Sequence, residues 1–290
     1  MKISHDMLQK IRSIEIQTKR LLRGSLVGDY SSCQKGSGLD FDQIRSYQVG
    51  DDIRFIDWKA SARSGDLLVK QYQEERSRIV IVVLDTSSSM FYGSGQSLKI
   101  DWAAEIASIF ALVADYGKDY VGALTFDRDV KKFHPAKRGL SHVHSILESF
   151  FHYDVAQQQE GDTSFALMLK HLMAFQKQQA IIIIVSDFIG GDYEKWLKPV
   201  AKKHEVIAVR CLDACEKIIP KVGLLPLRAA ETGQTCQVQT SGSDLQSCLD
   251  RYHADVKMML TRCGADVLDV SIERPFVGDI VRFFRRKMRY

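Results

Sequence analysis

Ile79-Val80-Ile81-Val82-Val83-Leu84-Asp85-Thr86-Ser87-Ser88-Ser89-Met90 is the stretch that decides how this chain folds. Its opening run of branched apolar residues spells a strand buried on both faces, as inside a parallel sheet. The run stops at a carboxylate, Asp85, and hydroxyl residues follow, with Gly93 and Gly95 soon after. In an open α/β sheet, ligands bind outside the carboxyl ends of the strands. Asp85 therefore falls where such a fold keeps its chemistry. Taken alone, Asp-x-Ser-x-Ser reads equally well as a strand end, a Ser/Thr turn and a helix cap.

Two distant stretches favour the chemical reading. Ala180-Ile181-Ile182-Ile183-Ile184-Val185 is a second fully apolar strand, and it ends in Ser186-Asp187. Between the two, Gly161-Asp162-Thr163-Ser164 opens a helical pattern that runs from Phe165 to Phe175. Asp85, Ser87, Ser89, Thr163 and Asp187 offer oxygen ligands of the kind that Mg²⁺ prefers, with carboxylates few enough to leave water in the shell. Mn²⁺ suits the same donors. The order and spacing resembles the metal-ion-dependent adhesion site of von Willebrand factor A domains, as found in integrins, and every position of that motif is filled. The resemblance implies that the hydroxyls bind the metal directly while some carboxylates act through water.

The chain has 290 residues, of which 45% are hydrophobic and 26% charged. That is ordinary for a globular protein, and the length suits one large α/β domain with a smaller appendage. A net charge of +4, from 40 basic and 36 acidic residues, gives no argument for nucleic acid. The cysteines at 33, 211, 215, 236, 248 and 263 show no Cys-x-x-Cys spacing and read as free thiols of a reducing compartment. Charged residues interrupt the N-terminus, so no signal peptide is expected. The apolar runs are strand-length, far short of the ~20 residues of a membrane helix. A cytoplasmic protein is the expectation.

Residues 2–23 carry a partial apolar stripe (Leu8, Ile11, Ile14, Leu21, Leu22) on an otherwise basic helix, which reads as a docking helix. Residues 97–116 and 140–151 are expected helices, 121–126 a strand, and 130–133 a return strand, antiparallel at the sheet edge. His142 and His144, on the second of these helices, read as solvent-facing or locally packed residues. Residues 206–211 and 267–271 read as further strands, 224–240 as a hairpin, and 243–263 as a long helix capped by Ser243. The alternation predicts a doubly wound, mostly parallel sheet, Rossmann-like in class, over residues 78–290, with a basic, aromatic tail from Arg282 to Tyr290.

Residues 24–78 differ in texture. Glycines punctuate short strand-like pieces, and Arg and Asp alternate through Arg45-Ser46-Tyr47-Gln48-Val49-Gly50-Asp51-Asp52-Ile53-Arg54 and Ile56-Asp57-Trp58. Arg45, Tyr47, Asp51, Asp52, Arg54, Asp57 and Trp58 are expected to form a structural network, with buried charge pairs pinning a loop-rich collar. Residues 1–77, the first helix included, are grouped as one N-terminal region. The run Arg-x-Tyr-x-x-Gly-Asp-Asp-x-Arg-x-Ile-Asp-Trp, followed by Ala-Arg, Glu-Glu-Arg and Leu-Asp-x-Ser-x-Ser-Met, resembles the bacterial family catalogued as domain of unknown function fifty-eight. That family places this segment directly before a von Willebrand A-like domain. Asp213-Ala214 departs from its usual Asp-Pro.

Several functions are excluded or weakened by what the sequence lacks. There is no Gly-x-x-x-x-Gly-Lys-Ser/Thr loop for a P-loop ATPase and no Gly-x-Ser-x-Gly elbow for an α/β-hydrolase. A haloacid dehalogenase-type phosphotransferase with Asp85 as nucleophile needs an acid/base two residues on, where Ser87 stands instead. The expectation is a non-enzymatic, Mg²⁺- or Mn²⁺-dependent protein-binding module, with a metal-free scaffold as a further alternative. Its partner would offer an Asp or Glu to the metal. The family resemblance implies a setting beside a MoxR-type AAA+ ATPase, as an adaptor or assembly factor. No nucleic acid is expected, and membrane contact only peripherally.

Overall fold

The computed structural model describes residues 5–21, 38–75, 78–95, 97–153, 164–190, 193–218, 222–228, 234–240, 243–271, 276, 278–280 and 282–283. The elements in chain order are α1 (His5–Leu21), β1 (Gly38–Ser46), a 3-10 turn (Ile53–Phe55), α2 (Trp58–Ser64), β2 (Leu68–Glu75) and β3 (Ile79–Asp85). A second 3-10 turn (Ser88–Phe91) precedes α3 (Lys99–Tyr116), β4 (Tyr120–Phe126), β5 (Val130–Lys137), α4 (Leu140–Phe150) and α5 (Phe165–Phe175). Then come β6 (Ile181–Ser186), α6 (Glu194–Lys203), β7 (Glu205–Leu212), the single turn α7 (Ala214–Lys217), β8 (Leu224–Arg228), β9 (Thr235–Gln239), α8 (Ser243–Arg262) and β10 (Asp266–Ser271).

Two compact units result. One comprises Met1–Leu26 with Arg78–Tyr290, the other Val27–Ser77. Helix α1 thus belongs to the α/β unit rather than to the collar. It packs on α3, burying Ile11, Ile14 and Thr18 at a helical spacing, and Glu15 meets His144 of α4. His142 packs locally, its Nε2 2.9 Å from the Val121 carbonyl oxygen.

In the α/β unit a six-stranded sheet has the order β10-β7-β6-β3-β4-β5. All pairings are parallel except β4–β5, which places an antiparallel strand at one edge as the sequence suggests. The all-apolar β3 sits centrally because both of its faces are covered. Ile81 and Val83 pack with Phe165, Leu169 and Leu172 of α5 on one side, while α3 lies against the sheet and packs on α4. Val80, Val82 and Leu84, which alternate with them, are equally buried. Pro199 lies inside α6, whose Leu197 and Val200 are buried.

The second unit is a hairpin. β1 and β2 pair antiparallel from Gly38↔Glu75 to Ser46↔Leu68, with an irregularity between Phe41 and Gln43. Asp57 caps α2 by accepting from the backbone N–H groups of Lys59 and Ala60 at 3.1 and 3.0 Å.

Candidate functional site

The strand register assembles the centre of the site. β3 and β6 are neighbours, with Leu84 opposite Val185, so Asp85 and Ser186-Asp187 emerge side by side at the carboxyl edge. Asp85 is buried, and both its oxygens are engaged. Oδ1 accepts from the Ser87 N–H at 2.9 Å, and Oδ2 from the Ser186 hydroxyl at 2.6 Å. Ser87 and Ser89 face each other, hydroxyl to hydroxyl, at 3.1 Å. The turn Ser88–Phe91 creates that approach by folding the chain back immediately after Ser87. Burial, reinforced by the charge of Asp187, pushes the Asp85 carboxyl up to about 7.

Asp187 is held differently. Its Oδ1 accepts from the Ile189 N–H at 3.1 Å, while the Lys99 ammonium donates to Oδ2 at 2.7 Å. Phe188, the next residue, has a positive φ of 56°, a backbone state costly for a bulky side chain. It is held there by a bond from its own N–H to the Ser186 hydroxyl and by stacking of its ring on Phe165. The strain sits where the chain must turn sharply to leave Asp187 at the strand end.

Lys99, at the start of α3, also donates to Glu216 Oε1 at 2.6 Å. The other oxygen of Glu216 accepts from the Asp213 N–H, and Asp213 accepts from both the N–H and the hydroxyl of Ser94. Burial alone would lower the Lys99 pKa. The charges of Asp187 and Glu216 outweigh burial and hold it raised. Burial likewise opposes ionisation of Asp213, but the Ser94 and Cys215 donors keep that carboxyl below its usual value.

Of the expected ligands, the fold brings Asp85, Ser87, Ser89 and Asp187 to one edge, while Thr163 lies outside the described residues. Among the described residues no group of three or more His, Cys, Asp and Glu is arranged to hold a metal. A cation here would depend on the serine hydroxyls as well as the carboxylates. The donor chemistry of Asp85, Ser87 and Ser89 fits a hard dication, and burial, with the Asp187 charge beside it, disfavours an uncompensated Asp85 carboxylate. Asp187 fits too, but one of its oxygens is already paired with Lys99. Lys99 and Glu216 are the site residues that the motif reading does not reach. Their signal is a lysine at the very start of a helix, where the macrodipole disfavours a cation.

The expected buried network in the smaller unit is corrected. Arg45 pairs bidentately with Asp51 at 2.7 and 2.6 Å, with both side chains partly exposed. Arg54 is 81% exposed and pairs with Asp52 two residues away, while Trp58 is exposed. Tyr47 contributes its backbone N–H to the Leu67 carbonyl. These are local pairs and turns on a hairpin, and none is a buried ion pair.

The family profile described as "Protein of unknown function DUF58" matches residues 43–258. The chain belongs to this family. An uncharacterized protein of Mycobacterium tuberculosis is 29% identical over 96% of this DUF58 chain and 89% of its own length. Among solved structures, BatB from Bacteroides thetaiotaomicron covers 73% of this chain and 99% of its own at 15% identity, with a TM-score of 0.48. An aerotolerance-related membrane protein from Bacteroides fragilis does the same at 14% identity and 0.45. The VWA domain of SpRpn10 covers 71% of this chain and 94% of its own at 10% identity and 0.39. The mixed α/β fold is doubly wound, with a mostly parallel sheet whose strand order is Rossmann-like.

The cytoplasmic expectation is corrected by the description of the Bacteroides fragilis chain as a membrane protein. That expectation rested on the thiol pattern, the charged N-terminus and the strand-length apolar runs. Among the described residues no helix is long and apolar enough to cross a membrane, which is a statement about helices and not about compartment.

Proposed function

We propose that this chain is a metal-dependent protein-binding module, with Asp85, Ser87, Ser89 and Asp187, joined by Thr163, holding one Mg²⁺ or Mn²⁺. The observation that carries the reading is the buried pair Asp85 and Asp187, set side by side at the ends of adjacent parallel strands with two serine hydroxyls beside them. Two carboxylates that close repel each other unless a proton or a cation intervenes. A bound dication would supply that charge and present an open coordination position. An Asp or Glu from another protein could fill it by displacing water, anchored strongly in a partly dehydrated crevice. The resemblance to the family's usual setting supports a MoxR-type AAA+ ATPase, or its client, as that partner, with this chain as adaptor.

The test is capture of a MoxR-type ATPase from the same genome by the immobilised chain. Wild type and Asp85→Ala are compared with Mn²⁺ present and after chelation. The reading expects capture by wild type with metal alone, and persistence at moderate salt, where exposed charge contacts are screened. Equal capture by wild type after chelation, or by Asp85→Ala, contradicts the metal bridge.

A further inference from the structure

We propose that Lys99 is a tethered counter-cation that holds Asp187 in the metal-free protein and thereby sets the affinity for the dication, an inference that rests on the metal reading above. The Lys99 ammonium lies 2.7 Å from Asp187 Oδ2 and 2.6 Å from Glu216 Oε1, and its side chain has no exposed surface. A fully buried lysine at the N-terminal end of a helix is opposed both by desolvation and by the helix dipole. Its presence there is explained by the two carboxylates it meets. Those carboxylates come from different strand ends, Asp187 after β6 and Glu216 after β7, so Lys99 bridges two connections of the crevice.

The charge count gives the bridge a consequence. With Asp85, Asp187, Glu216 and Asp213 ionised and Lys99 protonated, the cluster carries three net negative charges, of which one dication offsets two. Lys99 thus lowers the attraction for the metal in two ways. It repels the ion through space, and it occupies the Asp187 oxygen that would otherwise face it. A site tuned in this way binds its metal reversibly and keeps its shape when the metal leaves. Without the lysine the same carboxylates form an over-charged pocket that needs the ion to stay folded.

The test measures Mn²⁺ affinity by calorimetry and melting temperature with and without Mn²⁺, for wild type, Lys99→Met, Lys99→Arg and Glu216→Gln. Lys99→Met should bind Mn²⁺ at least about tenfold more tightly, since a full positive charge close to the ion is removed. It should also melt lower without metal and recover when Mn²⁺ is added. Lys99→Arg keeps the charge and should stay near wild type in affinity. Glu216→Gln, a mild change expected to fold, should weaken binding, because it removes an anion and leaves Lys99 wholly to Asp187. Tighter Mn²⁺ binding by Lys99→Met than by wild type, with Lys99→Arg near wild type, supports the inference most strongly. Binding by wild type that Lys99→Met leaves equal or weaker, or that Glu216→Gln leaves unchanged, overturns the role of Lys99 alone. No binding by any of the four proteins overturns the metal reading and this inference with it.

Discussion

The Lys99 ammonium and Asp187 Oδ2 lie 2.7 Å apart with neither side chain exposed, so the strand-end carboxylate of the metal motif already has a cation. Removing one member of a buried ion pair strands the other, at a cost of about 3–5 kcal/mol. Asp187→Asn leaves Lys99 paired with Glu216, so it should destabilise the metal-free protein by less than this full range, about 1–3 kcal/mol. The double variant Lys99→Met/Asp187→Asn should lose less than the sum of the two single changes. Denaturant unfolding of the four proteins measures the coupling; additive losses contradict a pair that acts as a unit.

Asp85 gives the metal-free protein a characteristic pH dependence. Its carboxyl is raised to about 7 by burial and by Asp187, well above the value of an unfolded aspartate. The folded state therefore holds this proton more tightly than the unfolded state does. The contribution is fully present below the unfolded pKa of about 4 and is lost as pH rises towards 7. Chelated wild type should lose more stability between pH 5 and pH 7, taken as roughly the middle and top of that window, than chelated Asp85→Asn. Parallel curves for the two proteins contradict the shift.

Gly93 sits in the connection between the serine turn and α3, and a Cβ there would lie 2.4 Å from the Ser97 carbonyl oxygen and 3.1 Å from the Leu98 Cα. Both are backbone atoms, so no side-chain rotation relieves the clash. Gly93→Ala should cost about 1–3 kcal/mol, the range for overpacking. Because Ser94 binds Asp213, and Lys99 follows close behind, the variant should also change Mn²⁺ affinity. A fully neutral substitution by thermal melting and calorimetry argues that this loop is not fixed.

In the hairpin unit the exposed and capping charges should separate cleanly. Asp57→Ala removes the cap of α2 and should lower the melting temperature measurably. Arg54→Ala removes an exposed pair and should melt like wild type. Melting curves decide it, and a large loss in Arg54→Ala contradicts the exposed geometry.

Much of the fold was legible because it is written in apolar runs. Residues 79–84 and 180–185, short and rich in β-branched residues, read as buried strands, and their terminal carboxylates follow from where such strands end. The antiparallel edge strand was legible at its start, read over 130–133 where the strand runs on to Lys137. The partners of those carboxylates were not, because they are set by tertiary neighbours far apart in sequence. Lys99 meets Asp187 across 88 positions and Glu216 across 117, and no local pattern encodes either contact. The Arg–Asp alternation in residues 45–57 misled in the opposite direction. Pairs close in sequence satisfy one another on a hairpin surface, so the charge density that suggested a buried network marks local turns. For α1, the apolar stripe announced docking but not the surface that receives it, which is α3 of the larger unit.

The central claim is that Asp85 and its neighbours bind a divalent cation, and the most direct measurement is Mn²⁺ calorimetry on chelator-stripped wild type and Asp85→Ala. Circular dichroism first establishes that both are folded. The account predicts a single Mn²⁺ site in wild type, competed by Mg²⁺ and abolished in Asp85→Ala. Equal Mn²⁺ affinity in the two folded proteins, or no binding by wild type at any accessible concentration, contradicts it.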